Sequence, residues 1–197
     1  MTAKRLQAPS PRREELLERA YAYAIEHGLG DLSLRPLAGA IGSSPRVLLF
    51  LFGSKDGLVR ALLARARTDE LAALEQVRSL GPDDDLAGIV RTTWQWLVAE
   101  RHRPLLTLWL EAYARSLTEP AGAWAGFGAQ TVADWLALLA GAQPARHRRT
   151  RAGAAERTLA LSVLRGALLD LLATGDVARI SSAVEQHLRR TKPPGRE

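Results

Sequence analysis

The apolar residues of this 197-residue chain recur at spacings of three and four positions, the period of an amphipathic α-helix. In PRREELLERAYAYAIEHG, Leu17, Tyr21 and Ala24 fall on one face, opposite charged residues. Gly28 follows as a helix stop. The same period returns in later segments, and no segment shows the alternation of a half-buried strand. The sequence therefore predicts an all-α fold.

One segment, GSSPRVLLFLFGSK at residues 42–55, has six consecutive apolar residues, a pattern typical of a buried strand. Its flanks favour a short helix instead. Ser44 is a good N-cap, Pro45 suits the first helical turn, and Gly53 ends the segment. Another short helix, capped by Ser33, precedes it. Two short helices joined by a tight glycine-containing turn form a helix-turn-helix.

The composition narrows the classes of function. The chain has no cysteine, which excludes disulfides, thiolate catalysis and cysteine-ligated metal sites. The net charge of +6 is uneven: residues 1–67 hold 11 basic and 6 acidic residues, whereas residues 68–197 hold 16 and 15. A basic N-terminal third indicates a polyanionic partner, either nucleic acid or a membrane surface. No segment has the pattern of a signal peptide or of a membrane span, so we expect a cytoplasmic protein.

The segment LSLRPLAGAIGSSPRVLLFLFGSKDGLVRALL resembles the DNA-binding part of the TetR (tetracycline-repressor-like) family of transcriptional regulators. The resemblance is strongest over residues 13–64. It rests on a hydroxyl-capped second helix, small residues around the turn, and a short helix ending in Phe-x-Ser-Lys, here Phe52, Ser54 and Lys55. It implies a homodimeric, ligand-responsive regulator, most simply a repressor, that binds a palindromic operator in double-stranded DNA.

Two features depart from the family pattern. Leu49 and Leu51 stand where the family commonly has Tyr and His, and Arg46 stands where a small residue is usual. Phenolic and imidazole groups at those positions would contact phosphate, and leucine cannot. The resemblance therefore implies the docking geometry without the full set of phosphate contacts.

The resemblance also implies an N-terminal helix-turn-helix domain followed by a C-terminal helical domain for effector binding and dimerisation. A basic, disordered arm precedes the first domain and contains Lys4, Arg5, Arg12 and Arg13; alternatively, it lies along a minor groove. The predicted boundaries are 1–12 for the arm, 13–64 for the helix-turn-helix domain with its fourth helix continuing to about 80, 81–190 for the second domain, and 191–197 for a disordered tail.

The recognition helix supplies the candidate DNA contacts. Arg46 is near its N-terminus and can reach a guanine edge, and apolar side chains can contact thymine methyl groups. Lys55 is a candidate phosphate ligand. The alternatives are a solvated Arg46, and packing of Leu49 and Phe50 on helix 4 or on a dimer partner. The predicted DNA-binding residues are Ser33, Arg35, Ser43, Ser44, Arg46, Val47, Leu49, Phe50 and Lys55.

All five tryptophans lie within residues 94–135, beside a few polar residues. Such a mixture suits an apolar small-molecule pocket, although tryptophan at helical spacing is equally typical of a plain core. A lining without a basic cluster favours a small neutral or cationic apolar effector. The predicted ligand-binding residues are Trp94, Trp109, Tyr113, Trp124, Phe127 and Gln130.

The last two helices, predicted at about 154–173 and 176–190, carry small residues within a wide apolar surface. Paired with a second copy, they would form a two-fold four-helix interface; the alternative is that they cover the monomer core. The arginine-rich segment before them, with Arg146, Arg148, Arg149 and Arg151, is predicted to be a solvated, mobile loop; the alternative is a second nucleic-acid site. The predicted interface residues are Ala160, Val163, Leu164, Gly166, Ala167, Leu171, Ile180, Val184 and Leu188.

No motif of a nucleophile elbow, a P-loop or a zinc protease is present, and the four histidines are scattered. We therefore expect no enzymatic activity, no cofactor and no metal. The remaining alternative is a helical adaptor that uses its basic end on acidic lipid. The capped helix-turn-helix disfavours it, because a membrane-surface helix needs no such turn.

Overall fold

The computed structural model describes residues 10–80 and 85–191, and it contains no β-strand in these ranges. This confirms the predicted all-α fold. Residues 1–9 of the predicted arm, with Lys4 and Arg5, and residues 192–197 of the predicted tail lie outside the described residues. The described helices are α1 Pro11–His27, α2 Leu34–Ala40, α3 Pro45–Phe52, α4 Lys55–Leu80, α5 Leu86–Leu97, α6 Arg103–Thr118, α7 Phe127–Gly141, α8 Ala145–Arg148, α9 Arg151–Thr174 and α10 Val177–Thr191.

The contacts divide the chain into two compact units. The N-terminal unit contains the described residues up to Ala66 together with Leu108–Phe127. The C-terminal unit contains Arg67–Thr107 and the described residues from Gly128 onward. Helix α6 from Leu108 onward and the turn after it thus belong with the helix-turn-helix. The sequence pattern had placed them in the second domain.

Helix α1 starts earlier than predicted. Pro11 occupies its first position, and the Ser10 hydroxyl accepts a hydrogen bond of 3.3 Å from the Arg13 amide. Arg12 and Arg13 therefore belong to the first turn of α1 and not to an arm. Arg12 pairs with Glu15 at 2.7 Å, and this hydrogen bond lowers the pKa of the Glu15 carboxyl.

The helix-turn-helix is closed by backbone and hydroxyl groups. Gly42 has a φ of 66°, in the left-handed region that glycine adopts without strain. The Ser44 hydroxyl caps α3 by accepting from the Val47 amide at 3.3 Å, as predicted. The expected cap at Ser33 was wrong: it occupies the N-cap position of α2, but its hydroxyl makes no cap hydrogen bond and remains exposed.

In the C-terminal unit, α5 packs against α9 and α10. Trp94 donates a hydrogen bond of 2.9 Å to Ser181, and Arg91 pairs with Glu185 at 3.0 Å. Each contact joins α5 to α10, so the last helix is fixed by apolar packing and by two polar pairs. No helix in the described part of the chain is long and apolar enough to cross a membrane.

The arginine-rich segment is folded and not the mobile loop that the sequence predicts. It contains the four-residue helix α8 and joins α9 at a turn capped by the Thr150 hydroxyl. The reason is Gln143, which is buried and whose carbonyl accepts from Arg148 at 3.1 Å. His147 adds a bond of 2.7 Å to Glu156 on α9.

Candidate nucleic-acid interface

Helix α3 has one buried and one exposed face. Leu48 and Phe52 pack into the N-terminal unit, where they are 1% and 8% exposed. On the opposite face, Val47 is 38% exposed, Leu49 42% and Phe50 85%. At about 100° per residue, these three side chains share one arc with Arg46. The outward direction expected for Val47, Leu49 and Phe50 is confirmed.

Basic groups flank this apolar face. Arg46 in the first turn of α3, Arg35 in the first turn of α2 and Lys55 at the start of α4 are all exposed. None of the three has a hydrogen-bond or ion-pair partner among the residues that the structure describes. Their charges are therefore available to an external anion. Arg46 and Lys55 also stand at the N-termini of α3 and α4, which favour an anion.

The serines of the predicted site differ from one another. Ser33 and Ser44 are exposed, whereas the Ser43 hydroxyl is buried and has no hydrogen-bond partner within the described ranges. The Ser43 amide donates to the Ala38 carbonyl at 2.8 Å. Ser43 thus closes the turn through its backbone and does not present its hydroxyl to a phosphate.

A polar clamp joins α6 to the loop between α1 and α2. The Glu111 carboxylate accepts a hydrogen bond of 2.8 Å from the amide of Leu29, a residue that is 1% exposed. Arg115 donates to the Gly30 carbonyl at 3.0 Å. A Cβ at Gly30 would overlap a Glu111 oxygen, so a side chain at this position would displace the carboxylate from its place in the clamp. A signal for this clamp is present in the sequence: Glu111 is an acidic residue within the largely apolar segment PLLTLWLEAYARSL.

Arg115 also forms an ion pair with Glu119, at 2.6 Å. This hydrogen bond raises the pKa of the Arg115 guanidinium, which is therefore charged at any physiological pH. The fixed positive charge suits its role as donor to the Gly30 carbonyl. The clamp therefore holds the loop before α2 through two backbone groups, the Leu29 amide and the Gly30 carbonyl.

The six predicted ligand residues do not lie in one unit. Trp109, Tyr113, Trp124 and Phe127 belong to the N-terminal unit, where Trp109 stacks on Tyr113 with ring centroids 5.7 Å apart. Three of these four are buried, Tyr113 being the exception. Trp94 and Gln130 belong to the C-terminal unit, and Gln130 donates to Asp134 at 3.2 Å.

The C-terminal unit contains a cavity of about 570 Å³ that none of the six residues lines. Its walls come from the start of α5, the turn between α7 and α8 together with α8, the first half of α9 and the end of α10. Apolar side chains form most of them, with Asp85 and Glu156 as carboxylates and His147 and His187 as imidazoles. Sequence reasoning missed the cavity because its lining comes from four distant segments without a shared motif.

The predicted interface residues also fall into two groups. Val163, Gly166 and Ala167 are at least partly exposed on α9. The other six are buried inside the protomer: Ala160, Leu164, Leu171, Ile180, Val184 and Leu188. Those six form the core between α5, α9 and α10, because an apolar spacing marks a face without stating what it packs against.

The described residues contain no group of three or more His, Asp or Glu side chains arranged to hold a metal ion. A buried carboxylate is present in the C-terminal unit, where Glu70 accepts from the Trp135 indole at 2.7 Å and from Thr131 at 3.3 Å. Nearby, Asp134 binds Arg67 with two hydrogen bonds of 2.9 and 3.1 Å, which raise the pKa of that guanidinium. Both arrangements join α4 to α7.

No protein-family model and no curated protein matches this sequence. Solved structures do match it. A transcriptional regulator from Rhodococcus sp. Rha1 has a TM-score of 0.72 at 20% identity, over 90% of this chain and 94% of that chain. A TetR transcriptional regulator from Legionella pneumophila has a TM-score of 0.71 at 15% identity, over 95% and 100%. The chain has the TetR-type fold.

A third match is the multidrug binding protein EbrR complexed with proflavin, with a TM-score of 0.66 at 23% identity, over 91% of this chain and 98% of that chain. At such identities the likeness is one of fold. It confirms the predicted architecture, a helix-turn-helix followed by a helical C-terminal domain. The contacts of α3 with DNA and of any effector with this chain remain predictions.

We predict that Glu111→Ala lowers the free energy of unfolding by about 1–3 kcal/mol, because the buried Leu29 amide loses its acceptor. The matched variant Glu119→Ala removes only an exposed partner of Arg115, and we expect a loss of about 0–1 kcal/mol. Urea denaturation of both variants measures the difference. Equal losses would show that the clamp adds nothing beyond a surface ion pair.

Proposed function

We propose that this chain is a TetR-family transcriptional regulator, a homodimer that represses by binding an inverted-repeat DNA operator and releases it on binding a small molecule. The observation that carries the proposal is the outward face of α3. It combines Arg46, which has no partner in the described part of the chain, with three exposed apolar side chains at the second helix of a capped helix-turn-helix. A soluble protein rarely exposes such a face without a partner.

In the proposed complex, α3 lies in the major groove with its N-terminal turn toward the base edges. Arg46 donates two hydrogen bonds to guanine O6 and N7. Lys55, Arg35 and the exposed Ser33 and Ser44 hydroxyls contact the phosphates on either side. Base reading and phosphate binding are therefore assigned to different residues, which makes them separable by mutation.

Arg46→Ala should relax the base preference at one position of the operator by about 1–3 kcal/mol. Lys55→Ala should weaken binding to all sequences alike and reduce the slope of log affinity against log salt by about 0.9. Arg189→Ala removes the same charge from the exposed end of α10 and serves as the control. Anisotropy titrations on a selected operator and its single-base variants test this. Equal losses of Arg46→Ala on every sequence would remove Arg46 from base reading.

We place the dimer interface on the outward face of α9. Leu159 and Leu169 are 52% and 50% exposed there, and Val163 and Gly166 lie between them along the same face. Small and apolar residues in such a row allow two helices to approach closely. Toward the C-terminal end of this face Asp170 is paired with Arg179 at 2.8 Å, and that hydrogen bond lowers the pKa of the Asp170 carboxyl.

Gly166 offers a clean test, because a Cβ built there meets nothing within 4 Å in the protomer. We predict that Gly166→Arg folds normally, since replacing a helical glycine favours the helix by up to about 1 kcal/mol. In a two-fold interface the new charge is buried, so the variant should sediment as a monomer and bind the operator at least tenfold more weakly. Gly141→Arg, at an equally open helical glycine on α7, should remain dimeric. A dimeric Gly166→Arg protein would place the interface elsewhere.

We assign the effector to the cavity of the C-terminal unit. Its volume of about 570 Å³ lies within the usual range for small-molecule sites. The carboxylates of Asp85 and Glu156 and the absence of Lys and Arg among the described lining residues suit a neutral or cationic apolar molecule. An effector that binds one conformation more tightly shifts the population toward it, typically by ~1–3 kcal/mol of coupling. The aromatic set around Trp109 and Tyr113 is the competing location.

Proflavin, an aromatic cation, is a suitable probe because the EbrR structure holds it. Ala87→Phe places a ring in the cavity and should weaken proflavin binding at least tenfold. Ala155→Phe, at an exposed position of α9 that does not line the cavity, should leave it unchanged. Fluorescence titration measures both. Unchanged affinity in Ala87→Phe would favour the aromatic set, and no binding by the parent protein would contradict the assigned class of effector.

A further inference from the structure

Helix α3 has one polar side chain. Its sequence is PRVLLFLF, and Arg46 is the only residue in it that can form a hydrogen bond with a base edge through a side chain. The other exposed positions are Val47, Leu49 and Phe50. If α3 lies in a major groove, most of the surface that faces the bases is therefore hydrocarbon.

We infer that this chain selects its operator by contacts with thymine methyl groups, with Phe50 as the main specificity-determining residue beside Arg46. The inference rests on the proposed DNA-binding function and adds the class of base sequence that is bound. The target half-site contains a guanine and one or more thymines within about two base pairs of each other.

The position of Phe50 on the helix supports its role as the main specificity-determining residue beside Arg46. Arg46 and Phe50 are four residues apart, so they lie one above the other on the same face, with Cβ atoms about 5–6 Å apart. Leu49 and Val47 lie on either side of this line, because they are rotated away from it by about 60–100°. Base pairs are about 3.4 Å apart along the duplex. The spacing of the two central side chains therefore corresponds to about two base steps.

The chemistry of the groove selects thymine. Thymine is the one standard base that presents a methyl group there, whereas the other bases present donors and acceptors. Phe50, 85% exposed in the free protein, gains by removing that methyl group from water. Against adenine, guanine or cytosine the same ring covers polar edges and gives them no hydrogen-bond partner, which costs binding energy. One phenyl ring thus favours thymine and disfavours the alternatives.

The packing of α3 makes the inference testable without loss of the fold. Leu48 and Phe52 hold the helix from the other side, so truncation of Phe50 removes no buried contact. Leu117 is 66% exposed and lies on α6, not on α2 or α3, which makes Leu117→Ala the matched control for loss of an exposed apolar side chain.

The experiment has two steps, both with the full chain. First, bound duplexes are selected from a random-sequence pool at near-physiological salt. Second, each thymine of the selected half-site is replaced by deoxyuridine, which keeps the base pair and deletes only the methyl group. At one thymine or two neighbouring thymines we expect an affinity about three- to fivefold lower for the parent protein and for Leu117→Ala. Phe50→Ala should bind thymine and deoxyuridine duplexes equally well.

A second base substitution tests the same methyl group by adding it back to a different base. Cytosine in place of the sensitive thymine should weaken binding, and 5-methylcytosine should recover part of the loss, because it carries the methyl group in the same groove position. Recovery that disappears in Phe50→Ala assigns the effect to the phenyl ring.

The contrary outcomes are distinct. Sequence-selective binding without any response to deoxyuridine would overturn thymine reading and leave the proposed function intact. A response that persists in Phe50→Ala would overturn the role of Phe50. Failure to enrich any sequence, with binding to anionic phosphatidylglycerol vesicles that Phe50→Ala abolishes, would overturn both the inference and the proposed function in favour of a lipid surface.

Discussion

The proposed DNA binding depends on the way in which α3 is held from one side only. An eight-residue helix is too short to be stable alone in water. Its stability comes from Leu48 and Phe52 in the core, from the Ser44 cap and from the stop at Gly53, whose φ is 78°. All of these lie on the inner face or at the ends. On the outer face, Phe50 is 85% exposed and contributes little to folding, so its residue type is free to serve recognition.

The clamp around Glu111 fixes the other end of the helix-turn-helix, the loop that leads into α2. Leu29 and Gly30 form the loop that leads into α2, and both are held through backbone groups by side chains of α6. Because α6 begins in the C-terminal unit and ends in the N-terminal one, it is a covalent link between the two.

The sequence predicted those features that depend on neighbouring residues. Helical periods, the Ser44 cap and the outward direction of Phe50 follow from local spacing, and the structure has them. The predictions of a cap at Ser33, of the start of α1 and of a mobile arginine-rich loop were wrong. Ser33 occupies the N-cap position without a cap hydrogen bond, and α1 starts earlier at Pro11 with Ser10 as its cap. The arginine-rich segment is held by the buried Gln143, a contact that local spacing does not show. A further limit is that an apolar period does not identify the packing partner. The period of Ile180, Val184 and Leu188 was predicted correctly, but these residues pack on α5 and α9 of the same chain.

The leucines that replace the usual Tyr and His now have a physical consequence. Leu49 is 42% exposed and Leu51 is half-buried, so α3 supplies no donor to phosphate from either position. The phosphates must then be held by groups outside α3, chiefly Lys55 and Arg35, and by the helix N-termini. These contacts weaken with salt, whereas contacts between hydrocarbon and thymine methyl groups do not. Selectivity and affinity of the proposed regulator are therefore carried by different surfaces, and rising salt should reduce its affinity far more than its preference for one sequence over another.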